Sequence, residues 1–159
     1  MSDGLRNVTR RSALGLVAAF VALQRTPVEA GSAAILVHKD PNCSCCTGWV
    51  KHLKDAGFAV TVEETANLGP VRARLGVPPD LAACHTAEVD GYVVEGHVPA
   101  AAIRRLLEER PAAIGLAVPG MPVGSPGMEG GTPRRYTVIL FGKAGRQPFM
   151  HFIGGESVG

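Results

Sequence analysis

Four cysteines and a histidine are the residues of this 159-residue chain whose types and spacing could support chemistry. Cys43, Cys45 and Cys46 fall within four positions, and Cys84 is followed directly by His85. Cysteine thiolates are both nucleophiles and soft-metal ligands, so the cluster is typical of a metal site or of a reactive dithiol. Structural disulfides are the usual explanation for an even cysteine count in an exported protein, but the adjacent Cys45 and Cys46 fit that explanation poorly.

Cys45 is the residue that distinguishes the two kinds of chemistry. Cys43 and Cys46 lie three residues apart at the predicted start of a helix, where the helix dipole favours a thiolate. That geometry serves disulfide exchange and metal binding equally. A dithiol oxidoreductase needs only two cysteines, whereas a soft ion such as Cu(I) accepts further thiolates. Structural zinc that includes Cys84 and His85 and a disulfide-stapled domain without chemistry remain alternatives.

A glycine- and proline-rich segment, 119–133, carries two further candidate ligands, Met121 and Met128. Its composition excludes a helix, so these methionines are not at the spacing of a buried helix face. Thioether sulfur is a soft ligand that suits Cu(I). We therefore expect Met121, Met128 and His85 to complete a site built on the four cysteines.

Three other histidines have no partner that is visible in the sequence: His38, His52 and His97. We expect each of them to have an ordinary structural role. His38 is the best placed of the three, because it ends the first predicted strand, which would face the cysteine loop. Met150 and His151 are expected to be an ordinary pair of strand residues. No Ser-His-Asp order, phosphate loop or pair of carboxylates indicates another chemistry.

The first 30 residues have the pattern of an export signal. A basic stretch that includes Arg10 and Arg11 precedes an apolar run over 12–23, and Val28-Glu29-Ala30 fits a cleavage site. The pair Arg10-Arg11 favours the twin-arginine route. We expect residues 1–30 to be removed and 31–159 to act in the periplasm without stable membrane insertion, an uncleaved anchor being the alternative.

Charge excludes one class of partner. The chain has 16 Lys and Arg against 14 Asp and Glu. Four of the basic and two of the acidic residues lie in 1–30, so the remainder has no formal net charge. A nucleic-acid-binding surface would be expected to be basic. We therefore expect no nucleic-acid partner.

Hydrophobic periodicity predicts an α/β domain over 31–159. The predicted helices cover 45–56, 71–75 and 99–110. The predicted strands cover 33–38, 59–63, 136–141 and 149–153, together with 89–94 and 96–98 as a hairpin or two short strands. This order indicates a mixed sheet flanked by helices. A strand that leads into a helix opened by Cys43-x-x-Cys46 is the thioredoxin arrangement.

Four motifs occur in one order along the chain: 37–46 with Trp49, 83–87, 91–99 and 119–129. Their sequences are Val-His-Lys-Asp-Pro-Asn-Cys-Ser-Cys-Cys, Ala-Cys-His-Thr-Ala, Gly-Tyr-x-x-Glu-Gly-His-Val-Pro and Pro-Gly-Met-Pro-x-Gly-Ser-Pro-Gly-Met-Glu. Together they resemble the CopG-like family of periplasmic metal-binding proteins associated with copper resistance. The resemblance covers about 35–152. The family commonly has Gly where Ser44 stands and an aromatic residue where His38 stands.

The resemblance implies a thioredoxin-like fold and copper binding through the cysteines. With the residue pattern, it predicts Cu(I) held by Cys43, Cys45, Cys46 and Cys84, in more than one ion per chain because four thiolates exceed what one Cu(I) needs. The role would be copper resistance, storage or handover to other periplasmic copper-handling proteins. The alternative is a thiol-disulfide oxidoreductase that uses Cys43 and Cys46. Enzymatic activity therefore stays open, with a binding role favoured.

Overall fold

The computed structural model describes residues 33–159, so the predicted signal over 1–30 lies outside the described residues. The elements in chain order are β1 (Ala34–Lys39), α1 (Ser44–Asp55), β2 (Ala59–Glu64), α2 (Gly69–Leu75), a 3-10 turn (Pro79–Leu81), β3 (His85–Val89), β4 (Tyr92–Glu95), α3 (Ala100–Glu109), β5 (Gly115–Ala117), β6 (Arg135–Gly142), β7 (Gly145–Ile153) and β8 (Glu156–Ser157). Within this range, no helix has both the length and the apolar character needed to cross a membrane.

The strands form one mixed sheet of eight, in the order β2-β1-β3-β4-β5-β6-β7-β8. Two neighbouring pairs are parallel, β1 with β2 and β4 with β5, and the other five pairs are antiparallel. A parallel pair needs a crossover connection, and α1 and α3 supply the two that are required here. The predicted mixed sheet with flanking helices is confirmed.

The larger core lies between one face of the sheet and the helices α1 and α3. Side chains alternate along each strand, so Ile35 and Val37 of β1 point to this face. They join Trp49 and Leu53 of α1 and Ile103 of α3 in one buried cluster. Trp49 and Leu53 thus lie on the buried face of the helix that was predicted over 45–56.

The opposite face of the sheet is covered by the segment that contains α2 and the 3-10 turn. Its apolar contacts are few: Val77 and Leu81 pack on Val93, Ala117 and Phe141. Leu75, Ile114 and Ile139 extend this cluster, and ion pairs join the polar part of the face to α2. We call the two sides of the sheet the α1 face and the α2 face.

Two predicted elements differ from the structure, and two strands were not predicted. The strand expected over 89–94 is the hairpin of β3 and β4, and β3 begins earlier, at His85, because it pairs with β1. Residues 96–98 are not a strand, since Gly96 has a φ of +73° that ends β4. The strands β5 and β8 are too short to show a periodicity. Segment 119–133 contains no helix, as expected, and it contains no strand either.

Candidate metal centre

The start of α1 brings three cysteines into one turn of chain. Asp40 closes the preceding turn: its carboxylate accepts the N–H of Asn42 at 2.8 Å and its carbonyl accepts the N–H of Cys43 at 3.1 Å. Cys43 is the N-cap, and its sulfur accepts the N–H of Cys46 at 3.3 Å. A sulfur in this position gains from the positive end of the helix dipole.

The four cysteine sulfurs lie together. Cys43 and Cys46 form a disulfide, and Cys45 and Cys84 are free thiols. The Cys45 sulfur is 3.4 Å from that of Cys43 and 3.9 Å from that of Cys84. All four lie within 4.8 Å of one another. The structure thus brings together the cysteines that are far apart in sequence, with Cys46 buried and the other three half-buried.

A second group of ligands shares Cys84 with the first. The sulfur of Cys84 is 3.4 Å from Nδ1 of His85 and 3.0 Å from Nε2 of His97. One ligand atom from each of these three residues lies within 4.8 Å of the others. The site therefore has an end made only of sulfur and an end made of sulfur and two imidazoles.

A hydrogen bond to Pro126 determines which ring nitrogen of His97 carries the proton. Its Nδ1 lies 2.7 Å from the carbonyl oxygen of Pro126, so Nδ1 carries the proton and donates it. Nε2 then presents a lone pair to the Cys84 thiol. Burial lowers the pKa of His97. It also raises the pKa of Cys84 to about 12, with a further contribution from Cys45. Without a metal, Cys84 is a thiol that donates to a neutral imidazole.

His85 has a ring nitrogen that the described part of the chain leaves unpaired. The ring is fully buried and packs on the indole of Trp49, with 4.2 Å between the ring centroids. Among residues 33–159, its Nε2 has no hydrogen-bond partner. Burial, followed by the nearby His97, lowers the pKa of His85 to about 3. A neutral buried imidazole with unused bonding capacity beside a cysteine is suited to a metal ion.

The segment 119–133 packs directly on α1 beside the cysteines. A Cβ on Gly48 would stand 2.9 Å from the Cα of Gly127, and a Cβ on Gly127 would overlap the carbonyl oxygen of Cys45. Gly127 also has a φ of +87°. Only glycine permits this approach of two backbones. The contact places Pro126 where its carbonyl accepts from His97.

The two predicted methionine ligands differ in environment. Met128 follows Gly127 and is half-buried, and its carbonyl accepts the N–H of Gly124 at 2.9 Å. Met121 is 53% exposed. Both remain predictions as ligands. Of the two, only Met128 lies next to the contact between the loop and α1.

The donor set fits a soft metal ion. Reduction of the disulfide would give four sulfurs within bonding reach of shared ions, and the two imidazoles are neutral. Thiolate and imidazole are the ligands of soft and borderline metals, and hard ions prefer oxygen. Residues 33–159 place no carboxylate in either ligand group.

Comparison with known proteins decides the family. A family model described as "Protein of unknown function, DUF411" matches residues 81–128. Two solved structures, described as "Copper resistance protein copG" in Form 1 and Form 2, are each 48% identical to this chain. The chain covers 99% of the first and 98% of the second, which cover 77% and 76% of it, with TM-scores of 0.72 and 0.71. This chain belongs to the CopG copper-resistance family. No curated protein sequence matches it.

His97 is the residue of this CopG-family site that the sequence reasoning missed. It lies beyond the end of β4, and no local spacing shows that it faces Cys84. The sequence does offer one indication of His97: it lies in Glu95-Gly96-His97-Val98-Pro99, which is part of the motif over 91–99 that resembles the CopG-like family. Trp49 holds that segment by donating its Nε1 proton to the carbonyl of Val98 at 2.8 Å.

The other two histidines have structural roles, as expected. His52 accepts the N–H of Ala100 at 3.0 Å through Nε2 and so caps the first turn of α3. His38 does not face the cysteine loop. The alternation of β1 places it on the α2 face, between Glu63 at 3.2 Å and Glu88 at 3.0 Å.

Proposed function

We propose that this chain binds copper as Cu(I) through the cysteine cluster and serves copper resistance by holding the ion or passing it on. The observation that carries the proposal is the gathering of four cysteine sulfurs within 4.8 Å, next to two neutral imidazoles. Soft sulfur donors favour Cu(I). The solved relatives at 48% identity are described as copper resistance proteins, which supports copper over zinc.

We also propose that each chain holds more than one copper ion. Four sulfurs and two imidazoles are more donors than one Cu(I) uses, and thiolate sulfur can bridge two ions. The two ligand groups overlap only at Cys84. In this proposal Cys84 bridges an ion at the sulfur end and an ion at the end with His85 and His97, and Met128 completes the set from the loop.

Copper loading in this form requires a reduced site. The disulfide between Cys43 and Cys46 occupies two of the four sulfurs. A dithiol of the cell envelope could open it by exchange: one thiolate attacks the half-buried Cys43 sulfur, Cys46 leaves, and the second thiol of the reductant completes a new disulfide. Two electrons and two protons pass to the cysteines, which then bind copper as thiolates.

The test is a copper count on reduced protein. The protein is reduced, kept without oxygen, mixed with excess Cu(I) and desalted, and the copper per chain is measured by elemental analysis. We expect two or more ions per chain. Cys45→Ser should lower the count, because Cys45 contacts both Cys43 and Cys84, and Ser44→Ala is the matched control. An unchanged count in Cys45→Ser would refute the cluster, and no retained copper would refute the function.

A thiol-disulfide oxidoreductase is the second candidate, and the disulfide at the start of α1 is the observation that favours it. Cys43 is half-buried and Cys46 fully buried, which suits one attacking and one resolving sulfur. The free Cys45, 3.4 Å from Cys43, would compete for the disulfide and argues against it. Rapid reduction of insulin disulfides by metal-free protein would favour this candidate.

Export and fold class complete the proposal. We propose that residues 1–30 are a twin-arginine signal and that 31–159 form a thioredoxin-like periplasmic domain, which exchanges copper with other periplasmic copper-handling proteins. The passage from β1 through the turn at Asp40 into α1, opened by Cys43 and Cys46, supports the fold class. N-terminal sequencing of the protein recovered from the periplasm tests the cleavage near Gly31.

A further inference from the structure

A buried carboxylate lies beneath the imidazole end of the site, on the α2 face of the sheet. Glu95, the last residue of β4, is fully buried. It accepts hydrogen bonds from Arg72 Nε at 2.9 Å, from the Ala83 N–H at 2.7 Å and from Thr86 Oγ1 at 2.6 Å. A buried charge is tolerated only when it is paired and hydrogen-bonded. Arg72 supplies the pairing, and Ala83 and Thr86, which flank Cys84 and His85, supply further hydrogen bonds.

Arg72 of α2 holds the other polar group of the Ala83 backbone, its carbonyl. Its Nη2 donates to the carbonyl oxygen of Ala83 while its Nε donates to Glu95. The N–H and the carbonyl of Ala83 are thus both held by the Glu95–Arg72 ion pair. Ala83 belongs to no helix or strand, so the ion pair replaces the backbone hydrogen bonds of a regular element. The next residue is Cys84.

Glu95 also leads directly into the other ligand segment. The N–H of Gly96 donates to the carbonyl of His85 at 3.0 Å. A Cβ on Gly96 would stand 2.7 Å from the Cβ of Ala83, so the two segments touch. His97 follows at once. The ion pair therefore lies where the chain that carries Cys84 crosses the chain that carries His97.

We propose that Glu95 and Arg72 are positioning residues of the metal site, which hold Cys84 against His97 and so set the affinity for copper without contacting the ion. The inference rests on the proposed copper function and extends it to the α2 face. Residues that orient metal ligands from behind commonly change affinity by about 10–100-fold when they are replaced. The distance of 3.0 Å between Cys84 Sγ and His97 Nε2 is the geometry that they maintain.

The experiment compares Glu95→Gln with Glu88→Gln. Glu88 lies on the same face, on the neighbouring β3, and pairs with Arg74 at 2.8 Å, but it does not bind the 83–84 segment. Each protein is reduced, and its affinity for Cu(I) is measured by competition with a chromophoric Cu(I) chelator in the absence of oxygen. We expect a fall of about 10–100-fold for Glu95→Gln and a change within about twofold for Glu88→Gln.

A double-mutant cycle separates positioning from a general loss of stability. If Glu95 acts through the pair of Cys84 and His97, the effect of Glu95→Gln should largely vanish in a His97→Gln background. A purely structural role would lower affinity equally in both backgrounds and would overturn the proposal. Urea unfolding of the metal-free proteins and the fluorescence of Trp49, the single tryptophan, confirm that each variant is folded.

Arg72→Lys is the second variant and decides the outcome if Glu95→Gln does not fold. Lysine keeps the positive charge but has a single nitrogen, so it lacks the rigid fork that places Nε on Glu95 and Nη2 on the Ala83 carbonyl. A loss of about tenfold or more in copper affinity supports the clamp on Ala83. An affinity equal to that of the unsubstituted protein overturns it. If the unsubstituted protein binds no copper, the proposed function fails instead, so the two failures are distinguishable.

Discussion

The two faces of the sheet near Cys84 use opposite kinds of chemistry. The α1 face gathers sulfur and neutral imidazole in apolar surroundings, with His85 packed against Trp49. The α2 face carries full charges, with Glu95 paired to Arg72 and Glu88 paired to Arg74. Soft ligands need a site without competing carboxylates, whereas rigid positioning of a loop benefits from charged hydrogen bonds. The chain meets both needs by placing them on opposite sides of one sheet.

The strand alternation is what separates the two chemistries. In β3, His85 points to the α1 face, whereas Thr86 and Glu88 point to the α2 face. A shift of one residue in the pairing of β3 with β1 would exchange these faces and destroy the site. Substitutions on the α1 face should remove metal ligands, whereas substitutions on the α2 face should change only the positions of those ligands.

The largest effect is expected at Cys84, where the two ligand groups meet. Cys84→Ser removes the one ligand that both groups share. We expect the copper count to fall by more than one ion and the remaining affinity to fall by more than the roughly 100-fold that an indirect change reaches. Elemental analysis and chelator competition measure both quantities. Loss of a single ion with the others unaffected would show that the two ends of the site bind independently.

The next effect is expected at His97. His97→Gln removes the nitrogen that lies 3.0 Å from Cys84 and leaves the three cysteines of α1 in place. We expect copper affinity to fall by about 10–100-fold while the disulfide between Cys43 and Cys46 still forms in air. His52→Gln, which changes the cap of α3 and no ligand, is the matched control. Equal losses in the two variants would remove His97 from the site.

The sequence indicated the four cysteines that the structure brings together and His85 of the nitrogen end, but it did not indicate His97. Cys43, Cys45 and Cys46 follow from local spacing at the start of one helix, whereas Cys84 reaches them only because β3 pairs with β1. His97 and Glu95 depend on how the hairpin of β3 and β4 crosses the segment before Cys84, and that crossing is a property of pairing across the sheet. For His38 the sequence predicted its position at the end of β1 correctly, but it did not predict that the side chain lies on the α2 face.

The pH dependence of copper affinity should come from the thiols and not from the histidines. Burial and Cys45 raise the pKa of Cys84 to about 12, so the metal-free protein keeps this proton and copper must displace it. The pKa of His85 is lowered to about 3, so this residue stays neutral above that value and releases no proton on binding. Affinity should therefore rise with pH by about tenfold per unit for each thiol proton displaced.

Chelator competition at several values between about pH 6 and 8 measures this slope. A constant slope indicates protons from thiols only. A slope that steepens below about 6.5, the usual pKa of histidine, would show that His85 or His97 is protonated in the metal-free protein. That result would contradict the neutral imidazoles assigned to the α1 face, and the same slope in His97→Gln would then assign the extra proton to His85.

The smallest effect on copper is expected from the loop that covers α1, and it separates packing from ligation. Gly127→Ala strains a φ of +87° and forces a methyl group into the Cys45 carbonyl, whereas Gly130→Ala strains a φ of +111° with no atom within 4 Å. Such a φ costs a non-glycine residue about 1–3 kcal/mol in each variant, and the overlap should add about 1–3 kcal/mol in Gly127→Ala alone. Urea unfolding of the metal-free proteins measures the difference.

Copper affinity should fall only severalfold, because the loop supports His97 through Pro126 but leaves the cysteines in place. If Gly127→Ala lowered copper affinity as much as Cys84→Ser does, the loop would supply essential ligands, and Met128 would be the first residue to substitute. Equal unfolding free energies in the two glycine variants would mean that the loop is not packed on α1 in solution.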